Sequence, residues 1–183
     1  MSASSVGRSP GREQLPEGRL SVIALDGIPE IGPGDDLAAL LIQALRATPD
    51  ALPLREDDVL VVTQKIVSKA EGATVDLTTI EPRPELVAFA ERWDRDARQL
   101  EVVMREARRV VRMANGVLIT ETSHGFVCAN GGVDASNMGP GRSDVVTLLP
   151  VNPDASAARI REAVLATLCV DVPVIISDSF GRP

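Results

Sequence analysis

Val59-Leu60-Val61-Val62-Thr63-Gln64-Lys65-Ile66-Val67-Ser68-Lys69-Ala70-Glu71-Gly72 is the stretch on which the fold turns. Its first five residues are apolar or β-branched with no turn former among them, and they read as a buried strand. The strand passes directly into a segment that, if helical, carries Lys65 and Lys69 on one face. A strand running straight into a helix is a unit of α/β architecture, and such junctions are where these proteins tend to present ligand-binding groups. The spacing also fits two solvated lysines, so the stretch sets the class and leaves the lysines' role open.

Toward the N-terminus, Gly27-Ile28-Pro29-Glu30-Ile31-Gly32-Pro33-Gly34 excludes regular structure, because its prolines lack donors and its glycines favour unusual dihedrals. Before it, the apolar run Leu20 to Leu25 reads as a strand. After it, Asp35 is the expected N-cap of a helix from Asp36 to about Arg46, with Leu37, Leu40, Leu41, Ala44 and Leu45 as its apolar stripe. Toward the C-terminus, Glu85 to Arg92 and about Asp96 to Ala107 read as two helices on a solvated, charged face. Arg105, Arg108, Arg109 and Arg112 belong to that face or clamp an anion. Leu118 to Thr122 and Phe126 to Ala129 read as strands around the Ser123-His124-Gly125 turn, and Val145 to Leu149 as another. Asn152 as N-cap and Pro153 at the first helical position open a helix whose Ala157, Ile160, Val164 and Leu168 face inward and which ends before Val172. The apolar run from Val174 then ends at Asp178. This interleaving gives an α/β (mixed α+β) class with no internal repeat, while the strand order is not legible.

At 183 residues and 44% hydrophobic, the chain has the size and apolar content for one domain with a substantial core. With 2% aromatic residues and no Tyr, that core must be built from Leu, Val, Ile and Ala, and the usual stacking platforms for single-stranded nucleic acid are missing. A net charge of -7 argues against nonspecific binding of nucleic acid or anionic membrane. No apolar run reaches the roughly 18 residues that span a bilayer. Residues 1–18, rich in Ser, Gly and Pro without an apolar signal core, read as a disordered leader before a domain at 19–183, and the location as cytoplasmic. Cys128 and Cys169 have no CxxC spacing and read as reduced, buried thiols.

The chain has neither a G-x-x-x-x-G-K-[ST] nor a G-x-G-x-x-G motif, and one histidine with two scattered cysteines does not make a zinc site. No G-x-S-x-G elbow accompanies His124, which reads as a turn histidine bonded locally rather than as part of a triad. What remains is oxygen chemistry. Asp134, in the glycine-opened loop Cys128-Ala-Asn-Gly-Gly-Val-Asp-Ala-Ser-Asn137, and Asp178 with Ser179 are hard donors that suit Mg2+ or Mn2+. Each acid taken alone also fits an Asx-turn or a helix cap. Glycine beside them lets the backbone approach a ligand closely.

Val61 to Gly72, His124 to Asn137 and Ile176 to Pro183 (Ile-Ser-Asp-Ser-Phe-Gly-Arg-Pro), with Gly27 to Ile31 and Leu149 to Ala157, resemble the coenzyme F420-0:L-glutamate ligases, also called F420 gamma-glutamyl ligases. The resemblance runs from about Arg19 to Pro183. It implies a family-specific mixed α/β fold, a homodimer, and addition of L-glutamate to the deazaflavin precursor F420-0 through a γ-glutamyl linkage by way of an acyl phosphate. It implies GTP as co-substrate, two Mg2+ or Mn2+ ions, and K+ as a further ion. By motif, Asp134 and Asp178 are implied ligands of the divalent ion that bridges the GTP phosphates, and Ser179, threonine in many members, a ligand of the second ion. Ile28, Pro29, Glu30, Ile31, Gln64, Lys65, Lys69 and Asn137 are implied to line the nucleotide site, Lys69 contacting phosphate and sharing the catalytic role of the two acids. Small polar residues often stand where this chain has Gln64 and Lys65. Family chains continue past Phe-Gly-Arg-Pro into further strands and helices, in some bacteria into a flavin-binding domain, so the resemblance implies truncation at Pro183. The other reading left open is a catalytically incomplete GTP- and metal-binding module for dimerisation or regulation.

Overall fold

A computed structural model describes residues 20–135 and 144–179; the expected leader, 1–18, and Asn137 lie outside the described residues. Five helices are described, α1 Leu37–Ala47, α2 Gln64–Ala70, α3 Pro84–Trp93, α4 Ala97–Glu106 and α5 Pro153–Leu168. The strands are β1 Leu60–Thr63, β2 Thr74–Asp76, β3 Ala107–Ala114, β4 Val117–Thr122, β5 Val127–Ala129, β6 Val145–Thr147 and β7 Val174–Ser177. They form three small sheets: β1 parallel to β7, β2 antiparallel to β6, and the antiparallel β3-β4-β5. The mixed class expected from the sequence is the one observed.

Two apolar cores sit side by side. The first packs Leu37, Leu41 and Ile42 of α1 with Leu60, Val62, Val67, Ile160 and Val164 around the β1–β7 pair. The second gathers Leu86, Leu100, Val103, Leu118 and Val146 from α3, α4, β4 and β6. Helix α2 bridges them: Gln64 Nε2 and Ser68 Oγ donate to the Leu148 carbonyl at 2.8 and 2.6 Å. Glu71, just past α2, accepts from Ser156 Oγ and from Arg159 Nη2 at 2.7 Å, tying that helix to α5. No helix among the described residues is long and apolar enough to cross a membrane.

Several local expectations are corrected. Leu20 to Leu25 is irregular, with Leu20 89% and Val22 85% exposed, and pairs with no strand among the described residues. Asp36 rather than Asp35 caps α1, accepting from the Ala39 amide at 3.0 Å, while Asp35 turns back to accept from Gly32 at 2.7 Å. β1 is buried on one face only: Val61 is 60% exposed and pairs with Ile175, which is 51% exposed. The helix expected to reach Ala107 stops at Glu106, and the arginine-rich residues after it form β3, which with β2 was not foreseen. β3 does not alternate apolar and polar residues, and β2 has only three residues, too few for a periodicity to show. Cys128 is buried, but Cys169 is exposed at the left-handed C-cap of α5 (φ 57°).

The charged α3–α4 stretch is not wholly a solvated face. Glu101 is 4% exposed and accepts from Arg83 Nε and Nη2 at 2.9 and 2.8 Å and from Arg105 Nε at 3.1 Å. The Arg83 guanidinium, helped by Arg105, lowers the pKa of its carboxyl from 4.5 to about 2. Arg108 and Arg109 are taken by Glu121, so three of the four arginines considered for an anion clamp are engaged with acids of the chain.

Candidate functional site

The parallel register pairs Thr63 with Ser177, so both chains leave the β1–β7 ladder at the same end. One enters α2 at Gln64 without a connecting loop, and the other delivers Asp178. A cleft of about 340 Å³ opens there, walled by Gln64, His124, Phe126, Leu149, Pro150 and Asp178 among others. The Asp178 carboxylate accepts from the Ser179 amide at 2.7 Å, which ties the two residues proposed from the Ser-Asp-Ser motif into one exposed turn.

Asp134 comes from the other core and is not among the residues that wall this cleft. After β5 the chain makes a 3-10 turn, Asn130–Gly132, in which Gly131 (φ +58°) and Gly132 (φ +73°) adopt left-handed dihedrals. Neither position has room for a side chain. A Cβ on Gly132 would lie 2.7 Å from Leu149 Cγ, and one on Gly131 would lie 2.9 Å from Thr120 Oγ1. These glycines, expected to admit a ligand, admit instead the chain's own Leu149 and Thr120. Two residues on, the Asp134 amide donates to the Thr147 carbonyl at 3.0 Å and its carbonyl accepts from the Thr147 amide at 2.8 Å. That bridge holds the backbone while the side chain, 40% exposed, meets Lys65: Nζ to Oδ2 is 2.6 Å.

Lys69, one turn further along α2, has a side chain only 8% exposed and places Nζ 2.6 Å from Glu30 Oε1. The Ile28–Ile31 segment is thereby docked on α2, but its residues play different parts. Ile31 is 3% exposed within the first core and can offer a ligand only its backbone, whereas Glu30 presents the polar group. Gln64 lines the cleft, yet its amide nitrogen is spent on Ser68 Oγ at 2.6 Å and on the Leu148 carbonyl.

His124 places Nδ1 3.4 Å from Ser123 Oγ, its ring stacks on Phe126 at 6.4 Å between centroids, and Nε2 lies 3.3 Å from the carbonyl of Val151, distant in sequence. The local bond agrees with a turn histidine; the contact with Val151 is tertiary and was not expected. That the same turn walls the cleft was not legible from local pattern, since Leu149 and Pro150 join it there only through tertiary packing. Burial, together with the charge of Asp178, raises the pKa of the Cys128 thiol, which disfavours the nucleophilic thiolate.

The donors fit a hard divalent cation. Asp134, at Lys65, and Asp178, at the cleft, each have carboxylate oxygens that could hold such an ion, and Ser179 a hydroxyl, while among the described residues no three His, Cys, Asp or Glu side chains gather as a metal cage. A cation held by one or two carboxylates, keeping waters or phosphate oxygens in its other positions, is the coordination habit of Mg2+.

Residues 27–183 match the family described as F420-0:Gamma-glutamyl ligase. Among curated relatives, the coenzyme F420:L-glutamate ligase of Methanothermobacter thermautotrophicus is 40% identical over 164 residues, covering 90% of this chain and 63% of the relative. That of Methanopyrus kandleri is 43% identical over 169 residues, covering 91% and 63%. That of Methanocaldococcus jannaschii is 40% identical over 131 residues, covering 72% and 51%. The chain thus spans less than two thirds of the length of these relatives.

Proposed function

Because the chain belongs to the F420-0:gamma-glutamyl ligase family, we propose that it adds L-glutamate to the deazaflavin precursor F420-0 through a γ-glutamyl linkage, using GTP and a divalent cation. The observation that carries this reading is the common exit of α2 and Asp178 from the β1–β7 ladder, with Asp134 brought to Lys65. In this reading two acids and two lysines gather on a charged polyphosphate, which their charges equip them to handle.

In the first step a carboxylate oxygen of the precursor attacks the γ-phosphorus of GTP. A P–O bond forms, the bond to the β-phosphate oxygen breaks, and GDP leaves with the electron pair. The glutamate amine then attacks the acyl carbonyl; a C–N bond forms, the C–O bond to phosphate breaks, inorganic phosphate departs, and the nitrogen sheds a proton. Neither step needs a nucleophilic side chain, in keeping with a buried Cys128. Catalysis then consists of positioning and charge neutralisation.

In this reading Lys69 and Lys65 bind phosphate oxygens. Asp134 and Asp178 hold Mg2+ or Mn2+, with the Ser179 hydroxyl toward a second ion, and Gln64 anchors α2. A bound divalent ion supplies neutralisation of the phosphate charge. The same reading takes the chain as a cytoplasmic homodimer with the fold particular to this family. Incubation with F420-0, GTP, Mn2+ and L-glutamate, followed by mass spectrometry, should show one or more added glutamyl residues and GDP release that needs both acceptors. Mn2+-dependent GTP binding without turnover would assign the chain to the binding-module reading; absence of both would refute either.

A further inference from the structure

Both lysines expected at phosphate are held by the chain's own carboxylates, Lys65 by Asp134 and Lys69 by Glu30, each at 2.6 Å. In the first pair the acid is the one assigned above to a divalent cation. An ammonium held 2.6 Å from Oδ2 offsets the carboxylate's charge and repels a second cation at the same group, so the two cations compete for Asp134.

We propose that Lys65 is a placeholder cation, occupying Asp134 while the metal is absent and passing to phosphate when a divalent cation arrives with a nucleoside polyphosphate. The inference rests on the reading of the site just given and adds an order of loading to it. Asp134 is pinned by its backbone bridge to Thr147, and α2 by the bonds of Gln64 and Ser68 to Leu148. What can move is the four-carbon Lys65 stem, whose side chain is 19% exposed. At the second pair Glu30 is 64% exposed on an irregular segment, so it can turn into water when phosphate takes Lys69.

Charge dictates the consequence. A free divalent ion must break an ion pair and offers the displaced ammonium nothing, whereas an ion carrying a polyphosphate supplies the anion that the ammonium takes up. The site therefore selects metal and polyphosphate together over metal alone.

The test is Mn2+ binding to the full chain, followed by electron paramagnetic resonance of the free ion, in wild type and in Lys65→Met and Lys65→Gln. Without nucleotide, the variants should bind Mn2+ about five- to tenfold more tightly, and their Mn2+-dependent GTP affinity should fall by a similar factor. Unchanged or weaker binding of Mn2+ alone in folded variants overturns the placeholder. Should both variants fail to fold, the wild type decides. Mn2+ alone, at a concentration shown to occupy the site, should raise acetylation of Lys65 by acetic anhydride severalfold, and added GTP should suppress it; no response to Mn2+ overturns the proposal. A wild type that binds no Mn2+ even with GTP refutes the reading of the site itself, whereas normal binding of the pair with unaltered metal-only affinity in the variants refutes the placeholder alone.

Discussion

Thr63 and Ser177 are partners on the last rung of the parallel β1–β7 ladder. That single pairing brings the start of α2 and Asp178 to one end of a sheet, although the two strands lie far apart in the sequence. The remaining geometry of the site is built around it, and it can be tested residue by residue.

Lys69→Met keeps the buried stem and removes the ammonium. Glu30, at 64% exposure, is left facing water, so the cost to folding should stay within about 1 kcal/mol. A phosphate that loses a charge-assisted partner forfeits about 1.5–3 kcal/mol, roughly ten- to a hundredfold in affinity. Calorimetric titration with GTP and Mn2+ reads this directly, and equal affinities would remove Lys69 from the phosphate site.

Asp134→Asn preserves the backbone bridge to Thr147 and removes the charge that meets Lys65. Metal-dependent GTP binding should fall at least about tenfold, with an unchanged circular dichroism spectrum. An unaltered Mn2+ titration would defeat the ligand assignment.

Gly132→Ala should be costly for two reasons, a φ of +73° and a new methyl 2.7 Å from Leu149 Cγ. Overpacking of this kind destabilises by about 1–3 kcal/mol. Gly125→Ala is the control, since Gly125 has a comparable φ of +86° but nothing within 4 Å of its Cβ position. Urea denaturation should show the larger loss at Gly132, and equal losses would mean that the contact with Leu149 is not limiting.

Glu101 carries a pH prediction. Its carboxyl titrates at about 2 in the folded chain against 4.5 ordinarily, first because Arg83 hydrogen-bonds it. Between those values the unfolded chain binds the extra proton, so this contribution is complete above about pH 4.5 and is lost as pH falls toward 2. Glu101→Gln should lower stability at pH 7 by about 1–3 kcal/mol, and the gap from wild type should narrow on acidification. A gap independent of pH would refute the assignment.

Much of the framework was legible because its signals are local. Asn152-Pro153 announces α5 through cap and ring geometry, and Asn152 does accept from the Ala155 amide at 3.0 Å. Val59 to Gly72 announces a strand feeding a helix through composition, and β1 and α2 follow within a residue or two. Where the signal depends on a partner, it failed: Leu20 to Leu25 has the composition of a strand but pairs with none among the described residues, and β2 and β3 exist because β6 and β4 receive them.

The same division runs through the site. Residue types sufficed to nominate Asp134 and Asp178, since hard oxygens have chemistry that does not depend on folding, whereas spacing left the role of Lys65 and Lys69 open and only the family resemblance assigned it. Which acid each lysine holds, that Ile31 is turned inward while Glu30 is offered outward, and that His124 and Leu149 wall one cleft were decided by tertiary packing alone. Contacts between residues distant in sequence arise when two cores close on each other, and no local periodicity encodes the register at which they meet.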